Sequence, residues 1–155
     1  MRIALGSDHA GYDLKALVAD HLSDLGHDVD DLGAADATTS VDYPDFGAAV
    51  GRAVVSGSAD LGVAICGTGI GISIAANKVP GVRAALVHDV TTATLAKQHN
   101  DANVLCLGAR VTGTVTALGA LDAFLAASAE SRHAARLHKI AVLDGSSTAN
   151  NPSED

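Results

Sequence analysis

The chain has 155 residues, 48% of them hydrophobic but only 3% aromatic, and a formal net charge of −8. That length suits one domain with an aliphatic core and no need of disulfides or metal staples. The acidic balance argues against non-specific nucleic-acid binding, which needs a basic surface, and no apolar run is long enough to span a membrane.

Ile3 to Gly6 reads as a short strand, followed by Ser7, Asp8, His9, Ala10 and Gly11. Tyr12 to Leu25 carries Leu14, Leu17, Val18, Leu22 and Leu25 at helical spacing, with Gly26 as its C-cap. His27 to Leu32 is a weaker strand, expected at an edge, and Gly33 to Pro44 a polar loop. Asp45 to Ser56 places Phe46, Ala49, Val50, Ala53 and Val54 on one helical face.

The run from Leu61 to Lys78, LGVAICGTGIGISIAANK, stands out. An apolar strand, Leu61 to Ile65, ends at Cys66. Gly67, Gly69 and Gly71 then let the backbone turn sharply and approach a ligand. Ile72 to Lys78 reads as a short helix stopped before Pro80 and Gly81. Strand, glycine loop and helix start together make a place for an anion, because free N–H groups converge there. The loop lacks the GK[ST] of a phosphate-binding P-loop, and Ile72 stands where GxGxxG needs its third glycine. Cys66 is either a reactive thiol beside that anion site or an inert small apolar residue, and the residues alone leave both open.

Val82 to Val87 reads as a buried strand, Val90 to Gln98 as a helix and Val104 to Leu107 as a strand followed by Arg110. Thr112 to Leu125 is an apolar helix, and Ser131 to Leu143 a final basic one carrying Arg132, His133, Arg136, His138 and Lys139. Strands alternating with helices predict an α/β fold: a single-domain Rossmann-like αβα sandwich around a five-stranded parallel sheet, covering 1–143. The apolar-poor DGSSTANNPSED, residues 144–155, is expected to be a disordered tail.

In such folds ligands sit at the carboxyl ends of the strands. Asp8, His9, Cys66 to Gly71, His88, Asp89 and Arg110 fall there. His99 and Asn100, at the end of a helix, are in a less expected place. Cys66 and Cys106 form no CxxC and no zinc spacing, so free thiols in a reducing cytoplasm are expected, with no metal and no cofactor. Arg132 and Arg136 lie one helical turn apart and share a face, which is either a solvated basic surface or a grip for a phosphate.

SDHAG after the first strand, DYP at 42–44, ICGTGIGISIAANK at 65–78 and KQHNDANVLCLGAR at 97–110 together resemble the ribose-5-phosphate isomerase B family. The wider family also contains galactose-6-phosphate isomerase subunits. The resemblance covers the chain from about Met1 to Leu143. It implies an aldose–ketose isomerase, with D-ribose 5-phosphate and D-ribulose 5-phosphate as its pair. Allose 6-phosphate, galactose 6-phosphate or a tetrose phosphate are alternatives.

It further implies that Cys66 is the proton-abstracting base, with Thr68 beside it, and that His99 helps open the sugar ring. Asp8, His9, Tyr43 and Asn100 are implied sugar contacts, and the Gly67, Thr68, Gly69, Ile70 and Gly71 backbone an anion hole. Arg110, Arg132 and Arg136 are implied phosphate contacts, the last two reaching in from a neighbouring subunit. One branch of the family uses a glutamate after the glycine loop. Ile72 occupies the matching place here, which aligns the chain with the cysteine-dependent branch. A homodimer, or a dimer of dimers, with sites at the interface is therefore expected.

Overall fold

The computed structural model describes residues 1–146. Five parallel strands form one sheet: β1 (Arg2–Ser7), β2 (Asp28–Asp31), β3 (Leu61–Cys66), β4 (Ala84–Leu86) and β5 (Val104–Gly108), in the order β2-β1-β3-β5-β4. Six α-helices connect or follow them: α1 (Tyr12–Asp24), α2 (Tyr43–Val55), α3 (Ile70–Ala76), α4 (Val90–Asn100), α5 (Thr114–Ala126) and α6 (Ala134–Leu143). The expected Rossmann-like architecture is the one found.

The alternation of side chains along each strand sorts the core by size. Ile3, Leu5, Val63, Ile65, Leu105 and Leu107 point to the face covered by α1, α4 and α5. Ala4, Ala64, Cys66, Val104 and Cys106 point to the other, covered by α2 and α3. Small residues on that second face let α2 come close: a Cβ on Gly62 would sit 2.5 Å from Val50. Each large aliphatic side chain removed from water contributes about 1.5–3 kcal/mol, which is how a core with two phenylalanines and no tryptophan suffices.

Element ends differ from the sequence reading for local reasons. Helix α2 starts at Tyr43 because Pro44 fits a first helical turn, where no backbone N–H is needed. Helix α3 starts at Ile70, directly after Gly69 in the left-handed region at φ 77°. The final basic segment is a 3-10 turn, Ser131–His133, followed by α6, which has no buried residue. Strand β4 is only three residues long and lies at a sheet edge. At Ala84 its outer edge is covered by a side chain. Asn77 Nδ2 donates to Ala84 O at 2.8 Å, and Ala84 N donates to Asn77 Oδ1 at 2.9 Å. Asp144 accepts from Gly81 N at 2.8 Å, so packing continues past Leu143. The rest of the expected tail, 147–155, lies outside the described residues.

Candidate active site

From β1 the chain crosses outward to β2, then returns to the opposite side of β1 to build β3. The crevice between the carboxyl ends of β1 and β3 is thus the topological switch point, where ligands bind in open α/β sheets. Asp8 follows one of these strands and Cys66 ends the other. A cleft of about 500 Å³ opens there, lined by Asp8, His9, Ala10, Tyr43, Cys66, Gly67, Thr68, Ile70, Gly71, Ile74 and Arg110.

Each side chain has a structural reason to be where it is. Cys66 is 4% exposed, and Gly69 N donates to its Sγ at 3.2 Å. The bend that delivers this N–H needs glycine twice over. Gly69 has φ 77°, and a Cβ there would sit 2.4 Å from Leu86. The N–H groups of Gly67 and Thr68 have no acceptor among the described residues, so the loop presents free donors beside the sulfur. Tyr43 lies against Gly71, where a Cβ would meet its ring at 2.5 Å. Arg110 N donates to Gly67 O at 2.9 Å, and the Arg110 side chain runs over Gly67. It brings a cation into the cleft, and no carboxylate pairs with it among the described residues.

Asp8 is buried at 6% exposure and accepts from Gly11 N at 3.0 Å, closing the 3-10 turn His9–Gly11. That turn carries His9, whose Nδ1 accepts from Val41 N at 3.2 Å. A backbone N–H can only donate, so a neutral His9 holds its proton on Nε2 and offers a donor. The loop supplying Val41 is strutted by buried Lys15, which donates to Asp31 at 2.7 Å and to Ala34 O at 2.9 Å. Ala10, Ile74 and the Lys15 strut were not singled out by sequence. Ile74 had a signal in its spacing, one turn after Ile70 on the same short helix. Cys106 is fully buried and its thiol is pushed up by that burial and by Cys66 nearby.

His99, Asn100, Arg132 and Arg136 do not line this cleft. A helix between parallel strands runs back to their amino edge, so the end of α4 lies about a strand length, roughly 20 Å, from the end of β3. Asn100 lines a separate groove of about 290 Å³ with Arg83, Ala84 and Ile140. His99 instead meets the segment after α5. Glu130 N donates to Gln98 O at 2.9 Å, and the His99 and His133 rings lie 4.6 Å apart. Arg132 Nε donates to Glu130 at 2.6 Å and Arg132 Nη2 to His99 Nε2 at 3.3 Å. Arg136 Nη1 donates to His133 Nδ1 at 3.0 Å.

His99, Glu130 and His133 bring their ligand-type atoms within 4.8 Å of one another, the donor set of a metal site. Yet one nitrogen of each imidazole already accepts from a guanidinium, and two guanidiniums flank the group. The cluster suits an anion better than a cation. The sequence-derived residues therefore fall into two separate groups on one chain, one with a thiol and a loop of free N–H donors, the other with imidazoles and two guanidiniums.

Known proteins share this arrangement of chain. The galactose-6-phosphate isomerase subunit LacB of Clostridium acetobutylicum is 48% identical over 127 residues, 82% of this chain and 73% of that protein. A solved ribose-5-phosphate isomerase B of Clostridium thermocellum superposes with a TM-score of 0.91 at 50% identity, covering 94% of this chain and 99% of that one. The Mycoplasma genitalium ribose-5-phosphate isomerase B, solved with ribulose 5-phosphate bound, gives 0.89 at 42% identity over 94% of this chain and 97% of that one. A family model described as Ribose/Galactose Isomerase matches residues 3–140, and the chain belongs to that family.

Proposed function

We propose that this chain is an aldose–ketose isomerase that interconverts D-ribose 5-phosphate and D-ribulose 5-phosphate through an enediolate. The observation that carries the reading is the Cys66 sulfur at the switch-point cleft, next to a glycine loop with unspent N–H donors. Relatives that carry this activity by name, one of them solved with the ketose phosphate, support it.

In this reading the Cys66 thiolate takes the proton from C2 of the open-chain aldose. Negative charge then develops on the carbonyl oxygen, where Gly67 to Gly71 N–H groups stabilise it. His9 offers its Nε2–H to a sugar oxygen, Asp8 accepts from a sugar hydroxyl, and Thr68 and Tyr43 bound the site. The O2 hydroxyl proton then passes to O1, and the proton held on Cys66 returns at C1, leaving C2 as the ketone. With Ile72 after the loop in place of a glutamate, the chain works as a cysteine-dependent member.

The second half-site completes the first only across a subunit boundary. His99 and Asn100 then open and hold the cyclic sugar, and Arg132 and Arg136 join Arg110 on the phosphate, fixing the substrate for proton transfer. Two copies related by a two-fold axis make two equal sites. Helix α6 supports such packing: none of its residues is fully buried, and Leu143 is 87% exposed.

A hexose 6-phosphate is the second reading, favoured by the 48% identity to a galactose-6-phosphate isomerase subunit. The test is a panel of phosphorylated aldoses compared by kcat/KM, with Cys66→Ser alongside. Ribose 5-phosphate should rank first. The serine variant should keep its fold and lose at least about 100-fold in rate, the worth of a positioned base. A higher kcat/KM for galactose 6-phosphate would move the assignment to that sugar, and a serine variant with near wild-type turnover would remove Cys66 as the base.

A further inference from the structure

Arg132 holds two groups at once. Its Nε donates to Glu130 Oε2 at 2.6 Å, and its Nη2 donates to His99 Nε2 at 3.3 Å. A guanidinium has donors and no lone pair, so His99 Nε2 is the acceptor and carries no proton. A neutral His99 then has its proton on Nδ1, and the nitrogen able to take another is the one Arg132 covers. The His99 ring itself has fixed neighbours. It lies 4.6 Å from the His133 ring, and His133 is pinned through Nδ1 by Arg136 at 3.0 Å. The Arg132 side chain is 65% exposed and is the member free to swing.

We propose that Arg132 is a removable cap on His99: an arriving phosphate draws the guanidinium away and uncovers the Nε2 lone pair, and Glu130 is the internal anion that holds the cap until then. The proposal deepens the isomerase reading and rests on it only for the use His99 makes of that lone pair. Among the described residues, the charged and titratable groups around His99 are Glu130, Arg132, His133 and, through His133, Arg136. On α4 itself Lys97 is engaged with Asp101 at 2.6 Å. Phosphate outcompetes Glu130 for Arg132, because it carries more charge and can take two donors of the planar fork where Glu130 takes one. Coupling follows. A sugar without a phosphate meets a covered base, whereas a phosphorylated one uncovers it on arrival. Arg132 and Glu130 are thus positioning residues for His99, on top of any direct contact Arg132 makes with phosphate.

The test is a titration of the full-length, assembled protein, labelled with 15N-histidine, with inorganic phosphate in mildly alkaline buffer. His99→Asn assigns the resonance by its disappearance. In wild type the His99 Nε2 signal should move toward that of an unbonded imidazole nitrogen as phosphate saturates. Arg132→Met should start at that position and stay there. Glu130→Gln should bind phosphate more tightly, by up to about fivefold, the upper worth of an exposed ion pair. Saturation without movement, an Arg132→Met signal where wild type has it, or weaker binding by Glu130→Gln would each overturn the cap. None of these readouts needs turnover. A His99→Asn enzyme that isomerised cyclic ribose 5-phosphate at the wild-type rate would instead remove the ring-opening role and leave the resonance result to decide the cap.

Discussion

Cys66 and Cys106 point to the same face of neighbouring strands, yet their surroundings divide their chemistry. Cys106 is enclosed and its thiol pushed up, so little thiolate forms on it. Cys66 opens on the cleft and receives an N–H. Iodoacetamide should therefore place a single adduct, on Cys66, and abolish turnover, with substrate slowing the reaction; mass spectrometry of the digest reads both. Labelling of Cys106 at a comparable rate would contradict the burial argument.

His133 gives a pH effect of definite sign. Burial first, then Arg132, His99 and Arg136, hold its imidazole below the ordinary value of 6.5, with Glu130 pulling the other way. As pH falls through that value the unfolded chain takes up a proton the folded chain resists. The His133 contribution to stability is therefore present above 6.5 and shrinks with acid toward the lower folded value. The melting temperature should drop more steeply between neutral pH and pH about 5 in wild type than in His133→Asn. Parallel slopes would mean that His133 titrates alike in both states.

At the scale of elements, β1 and α1 place Asp8 and His9, but the loop after β2 sets which nitrogen His9 presents. Lys15 is the strut of that loop, 5% exposed at its side chain, and Ala34 N reinforces it by donating to Ser7 O at 2.8 Å. Lys15→Met fills the same space without the donors. It should cost about 1–3 kcal/mol of stability, toward the lower figure because Asp31 is half exposed and regains water. Through the slackened loop it should also lower kcat/KM by up to about tenfold, the worth of one hydrogen bond. Denaturant melts and steady-state kinetics measure the two effects. A stable variant with full activity would leave Lys15 no part in holding His9.

Much of this was legible in the chain. Apolar runs ending in SDHAG, CGTGIG and GAR mark strand ends, and a parallel sheet gathers strand ends at one edge. That is why nine implied site residues, from Asp8 to Arg110, line one cleft, with Gly69 forming its bend. Strand order, the Lys15 strut and the His99–Glu130–Arg132 cluster were not legible. They depend on contacts between residues far apart in sequence, which no local spacing encodes.

For the whole molecule, the proposed sharing of one site between two chains makes a quantitative demand. Cys66→Ser and the double variant Arg132→Ala, Arg136→Ala should each be inactive. Mixed under conditions that exchange subunits, they form dimers in which one site carries every defect and the other none. Activity should return to about half of wild type per mixed dimer if the sites are independent. Confirmed exchange with no recovery would show that each chain completes its own site. Fewer than two chains should then also be enough for turnover, which dilution kinetics can follow.

The Asn77 side chain, paired with both polar groups of Ala84, has a consequence for how such copies can meet. An open edge strand invites a neighbour to extend the sheet, and repetition of that contact leads to fibrils rather than a closed assembly. Here the amide occupies the vacant rung as a one-residue imitation strand. Association at this rung is left to side chains, which can be shaped to stop at a fixed number of copies. Asn77→Val would bare the rung, and light scattering at elevated concentration should reveal open-ended growth that wild type resists.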